Sequence, residues 1–110
     1  MASQLLNLTD ETLKTWLQEK KTPLLVAFWA PWSGPCTVLE SVLKEIASDY
    51  NKRLTVSRLN VDENAHAPAE YGIKSIPHIL IFEQGKVVAT IAGPQPKTKI
   101  LETIERRLSS

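Results

Sequence analysis

Sulfur is almost absent from this chain. Cys36 is its one cysteine and Met1 its one methionine. A single cysteine excludes an internal disulfide framework and favours a reducing compartment. An excess of charge of either sign is also missing. Lys and Arg total 13 against 12 Asp and Glu, a formal net charge of +1. That balance gives no reason to expect nucleic acid or an anionic membrane as a partner. No long hydrophobic run is present. The most apolar stretch, Leu24 to Ala30, is far too short to span a bilayer. The opening residues Met1-Ala2-Ser3-Gln4 lead into no basic and apolar secretory pattern. Repeats, low-complexity tracts and linkers are absent. These absences predict a cytoplasmic protein, or one of a plastid-like stroma whose targeting segment has been removed.

What remains is ordinary material for one globular unit. The 110 residues, 43% hydrophobic and 23% charged, suit a single domain over 1–110 with one real core. Leu5 to Leu8 predicts a short edge strand. Thr9 is a good N-cap, with Asp10 and Glu11 at the positive end of the helix it opens. Leu13, Trp16 and Leu17 give that helix an apolar face, Lys20 and Lys21 suit its end, and Thr22-Pro23 breaks it. Leu24 to Trp29 is apolar at every residue, the pattern of a strand covered on both faces. Cys36, Leu39, Leu43, Ile46, Ala47 and Tyr50 recur at helical spacing, and Val38 and Val42 predict a wider buried stripe. Leu54 to Val61 alternates like a strand, and a short helix near Ala65 to Tyr71 should stop at Gly72. A hairpin follows, Ile79 to Phe82 returning through Val87 to Ile91. A helix from about Thr98 carries Ile100, Leu101, Ile104 and Leu108 inward. The order predicts an α/β fold: a central mixed sheet of about five strands flanked by four helices.

Trp32-Ser33-Gly34-Pro35-Cys36 is the stretch that carries chemistry. It has the frame of a two-cysteine redox motif at a helix start, with serine where the first sulfur would stand. Disulfide exchange needs a thiolate to attack and a second thiol to release the mixed disulfide. A cysteine at a helix N-terminus is acidified by the dipole and free amides. A serine hydroxyl there is far less acidic and forms no stable bond to sulfur. Ser33 is therefore expected to cap the helix.

Several separated pieces together resemble the thioredoxin family. They are Phe28-Trp29-Ala30-Pro31-Trp32, Gly34-Pro35-Cys36, Leu59-Asn60-Val61-Asp62, Tyr71-Gly72-Ile73, Ser75-Ile76-Pro77 and Gly93. They agree with the family in order and spacing from about Leu5 to Leu108. The resemblance implies the thioredoxin fold and protein disulfide oxidoreductase chemistry, with a cis bond before Pro77. It implies a shallow groove of Trp32, Ile76, Pro77, Ala92 and Gly93, bordered by Gly34, Pro35 and His78. There an extended segment of a protein partner binds through the backbone before the proline. It implies no prosthetic cofactor and no metal. The family's electron donors are thioredoxin reductase or a ferredoxin-linked reductase, and a monomer is expected.

The departures from that family matter as much. Its nucleophilic cysteine aligns with Ser33 and its resolving cysteine with Cys36. Its buried aspartate aligns with Ala27, and the lysine near that acid with Arg58. Thr37, Ser41 and His78 stand where a basic residue, a mid-helix proline and a threonine are usual. Two origins fit this pattern: a replaced nucleophile in an active parent, or divergence toward a monothiol or purely binding module. Cys36 itself reads as a small buried hydrophobe, as a slow monothiol, or as a ligand needing further ligands from outside. A Ser33–His78 pair would be half a hydrolase site, with no acid evident to orient the histidine. Trp29 is expected beneath the loop, and Trp32 either packs or makes contacts. Asp62, Glu63 and Asn64, His66, and the Glu102, Glu105, Arg106, Arg107 face are expected to be solvated.

Overall fold

A computed structural model describes residues 5–19, 23–50 and 53–108. Lys20, Lys21 and Thr22, assigned above to the end of the first helix, lie outside the described residues. The elements are β1 (Leu6–Leu8), α1 (Asp10–Glu19), β2 (Leu24–Trp29), α2 (Gly34–Asp49) and β3 (Thr55–Asn60). Then come α3 (His66–Glu70), β4 (His78–Glu83), β5 (Lys86–Ala92) and α4 (Lys97–Leu108). The sheet order is β1-β3-β2-β4-β5. β3 runs parallel to β1 and β2, while β4 is antiparallel to β2 and β5. The described residues have the α/β architecture of the thioredoxin fold, with five strands and four helices among them.

β2 is the centre of the sheet and its alternation divides the core. Leu25 and Ala27 face one cluster, with Leu39, Leu43 and Ile46 of α2 and Ile100 and Ile104 of α4. Leu24, Val26 and Phe28 face the other, with Leu13 of α1, Ala67 of α3 and Phe82. The apolar spacing of each helix thus finds its own side of the sheet.

Thr9 caps α1 with a reciprocal pair. Its Oγ1 accepts from the Thr12 N–H at 3.1 Å, and its own N–H donates to Thr12 Oγ1 at 2.7 Å. Gly72 stops the chain after α3 at φ +66, a conformation that favours glycine.

Several expectations are corrected. Val38 is 71% exposed, because its position on α2 lies well round the helix from the inner stripe, and of the two valines Val42 alone is partly buried. Asn64 is buried rather than solvated. Its Oδ1 accepts from the Asp10 N–H at 2.9 Å, and its Nδ2 donates to the Asn60 carbonyl at 3.1 Å. Asp10 answers by accepting from the N–H groups of His66 and Ala67 at 3.0 and 2.7 Å, so the carboxylate caps α3. Glu105 is no solvent-face spectator either: the Tyr50 hydroxyl donates to it, joining the end of α2 to α4. Burial and this bond push the Tyr50 phenol up to about 12. His66 is exposed as expected, 3.4 Å from Glu70.

Asp10→Ala should remove both acceptors from the first turn of α3 and cost about 2 kcal/mol. Asp10→Asn, which keeps one acceptor, should cost about half as much. Urea denaturation of the three proteins at neutral pH measures this.

Candidate functional site

β2 ends at Trp29 and the chain turns away from the carboxyl edge of the sheet. The turn closes through a bond from the Ser33 N–H to the Ala30 carbonyl at 3.2 Å, and α2 begins at Gly34. Ser33 occupies the N-cap position in extended backbone conformation, but its hydroxyl makes no capping bond. The local sequence explains the failure. A side-chain cap serves the second or third N–H of the helix. The second residue is Pro35, which has no N–H. The third, Cys36, already donates to the Ser33 carbonyl at 3.2 Å, as Thr37 does at 3.4 Å. The backbone of Ser33 therefore caps α2 and its side chain does not.

Ser33 and Cys36 are both buried, at 7% and 4% exposure. Trp32 beside them is 71% exposed and its indole N–H donates to Asp62 Oδ1 at 3.1 Å. Asp62, expected to be only solvated, thus positions an exposed aromatic.

The second wall comes from β4. The Ile76–Pro77 peptide is cis. Because β4 runs antiparallel to β2, His78 pairs with Phe28 and the proline lies beside the end of β2. The Pro77 carbonyl accepts from the Gly93 N–H at 2.9 Å, with Gly93 at φ +75, and His78 pairs in register with Ala92. Among the described residues Ile76 makes no backbone hydrogen bond. Trp32, Ile73 and Ile76 share a cleft of about 300 Å³. On the other side of the loop, Pro35, Val38 and Pro94 share one of about 200 Å³.

Ala27 is fully buried among aliphatic side chains. Arg58, its register partner in β3, is drawn elsewhere. Its guanidinium donates to Glu40 Oε1 and to Asn7 Oδ1, each at 2.7 Å, and lies 4.1 Å over the Trp29 ring. Trp29 is thus half-buried under an arginine. Bonds from Lys44 first, then from Arg58, hold the Glu40 carboxyl below its usual range. Sequence reasoning missed Glu40, although it stands one helical turn after Cys36 in an otherwise largely apolar stretch.

His78 turns toward β5, with Nε2 3.2 Å from Thr90 Oγ1, while Nδ1 is buried with no partner. Burial alone lowers its pKa. No hydrogen bond joins it to Ser33, so the half-hydrolase pairing is not formed. Among the described residues no cluster of metal-ligating side chains occurs, and no helix is long and apolar enough to cross a membrane.

The thioredoxin family model matches residues 4–106. The chain belongs to the thioredoxin family. It is 45% identical to the chloroplastic M-type thioredoxin of Chlamydomonas reinhardtii over 100 residues, 91% of this chain and 71% of that protein. It is 43% identical to thioredoxin 1 of Synechococcus elongatus over 100 residues, 91% of this chain and 94% of the other. Thioredoxin of Haemophilus influenzae is 36% identical over 106 residues, covering 96% and 99%. In this thioredoxin-family chain the loop between β2 and α2, the cis-proline segment and the turn after β5 meet at one end of the sheet.

Glu40→Gln should cost about 1 kcal/mol at pH 7, since the carboxylate is partly screened by water. A lowered folded-state pKa stabilises above the unfolded value and loses that contribution as pH falls through the folded one. The gap between the two proteins should therefore shrink below the ordinary carboxyl value of 4.5. Urea titrations at neutral and acid pH test the sign.

Proposed function

We propose that this chain performs the recognition half of protein dithiol–disulfide exchange and lacks the attacking half. The observation that carries the reading is the oxygen at residue 33, held at the head of α2. In the family reaction a thiolate at this position attacks a partner disulfide. One partner sulfur leaves as thiolate and a mixed disulfide remains. The second cysteine, here Cys36, loses its proton and attacks the sulfur at position 33. The second partner sulfur then leaves, with two electrons transferred. An alcohol cannot form the first S–S bond, so the sequence stops at docking.

Docking itself is supported by the free backbone of Ile76, which can exchange two hydrogen bonds with an extended segment. Trp32, Gly34, Pro35, Ile76, Pro77, His78, Ala92 and Gly93 form the surface that segment meets. Ala27 supplies no carboxylate to take the Cys36 proton, and Arg58 is committed to Glu40. Cys36 acts as a buried apolar group of α2 in this state. The unit acts as one monomeric domain over residues 1–110, in cytoplasm or a plastid-like stroma. A sulfur-restored form takes electrons from thioredoxin reductase or a ferredoxin-linked reductase, and needs no prosthetic group.

The chain should reduce a protein disulfide such as that of insulin, with dithiothreitol or a thioredoxin reductase, no faster than the uncatalysed rate. Turnover above that rate contradicts the reading. Ser33→Cys should restore turnover, with Ser33→Cys/Ala27→Asp faster still because the strand again supplies a proton acceptor. A restored dithiol with no exchange shows that the divergence extends beyond one atom.

A further inference from the structure

Among the described residues β5 is an open edge of the sheet, paired only with β4. The outward N–H and C=O groups of such a strand are a template for another chain. Soluble proteins usually blunt an edge with charge, proline, a bulge or a covering element. β5 has little of this. After Lys86 it reads Val-Val-Ala-Thr-Ile-Ala, with neither charge nor proline. Its register matches Ala89 to Ile81 and Val87 to Phe82, so a bulge at Val88 is the one irregularity. Val87 is 41% exposed.

A groove of about 550 Å³ runs along this edge. Its opposite wall is a face of α4, where Lys99, Thr103 and Arg106 recur at helical spacing. No acidic residue lines it among the described residues. Glu102 stands just outside, 3.8 Å from Lys99 and 3.4 Å from Arg106. Those two cations share its single carboxylate, which leaves that part of the wall net positive.

We propose that β5 and α4 form a second docking surface, which takes an acidic extended protein segment as a sixth strand. The backbone of β5 supplies pairing without regard to sequence, and the wall supplies charge selection. Lys99 and Arg106 are about 10 Å apart along the helix at 1.5 Å per residue. Alternate residues of a strand are about 7 Å apart. Two acidic side chains at i and i+2 reach both cations. A second copy of this chain fits poorly, because β5-to-β5 pairing brings two basic walls together. The surface is built without the 33–36 loop or Pro77, so it stands whatever chemistry residue 33 performs.

The test uses the unaltered protein and a blocked eight-residue peptide alternating Glu and Val, followed by NMR. We expect saturable binding, slowed amide exchange at Thr90 and Ala92, whose N–H groups alternate outward from the Pro77–Gly93 pair, and affinity weakened at least tenfold by Lys99→Glu/Arg106→Glu. Far-UV circular dichroism checks the fold of that variant, and the mapping on the unaltered chain stands without it. A Lys-Val peptide, and a Glu peptide of equal charge with central prolines, should bind at least tenfold more weakly. Equal binding of the proline peptide reduces the surface to plain ionic attraction and overturns the proposal. Unmoved β5 amides, an oligonucleotide that outcompetes the peptide, or self-association through β5 in solution overturn it too.

Discussion

The burial of β2 on both faces is the constraint from which the rest of the molecule follows. Leu25, Val26, Ala27 and Phe28 have no exposed surface at all. Burial of Leu25, Val26 and Phe28 contributes about 1.5–3 kcal/mol each, and the single methyl of Ala27 less. β3 and β4 satisfy its backbone on either side, and the two helical layers cover its faces. A central strand must release the chain at its carboxyl end, where sheets of this kind bind ligands. The β2–α2 loop is therefore set against the start of β4, and the cis Ile76–Pro77 bond lies at that junction.

The parts of this arrangement with a local period were legible in the sequence. The unbroken apolar run Leu24 to Trp29 marks a doubly covered strand, and Cys36, Leu39, Leu43 and Ile46 mark the inner face of α2. Thr9 marks a cap by its position. The failures share a cause of another kind. Asp10 and Asn64 tie together helices 54 to 57 positions apart, and nothing near either residue announces the other. Tyr50 and Glu105 are 55 apart. Val38 is apolar yet exposed, because apolarity permits burial without compelling it. The Ser33 cap failed through a neighbour: Pro35 removes one donor and the serine's own carbonyl occupies the next. In the candidate site the loop, the proline and the glycine were readable as pieces. The commitment of Arg58 to Glu40, Asn7 and Trp29 was not, since it requires knowing which face of β3 meets which turn of α2.

That commitment changes the electrostatics of the core. With Ala27 in the strand, no charge need be kept in the dry interior, where an unpaired carboxylate is expensive. The acid that meets Arg58 stands instead on α2, half exposed and ionised. One guanidinium consequently links β1, β2, β3 and α2 through two hydrogen bonds and a ring contact.

The strand order has a consequence for how the polypeptide is made. Leu24 finds its antiparallel neighbour in Phe82, more than half the chain away. During synthesis from the N-terminus, the most apolar segment emerges long before the strand that closes its second edge. Until β4 leaves the ribosome, β2 presents an uncovered ladder of N–H and C=O groups to whatever else is nearby. In the interval between those two events the unpaired apolar strand is open to non-native pairing, the general hazard of a chain whose central strand is completed late.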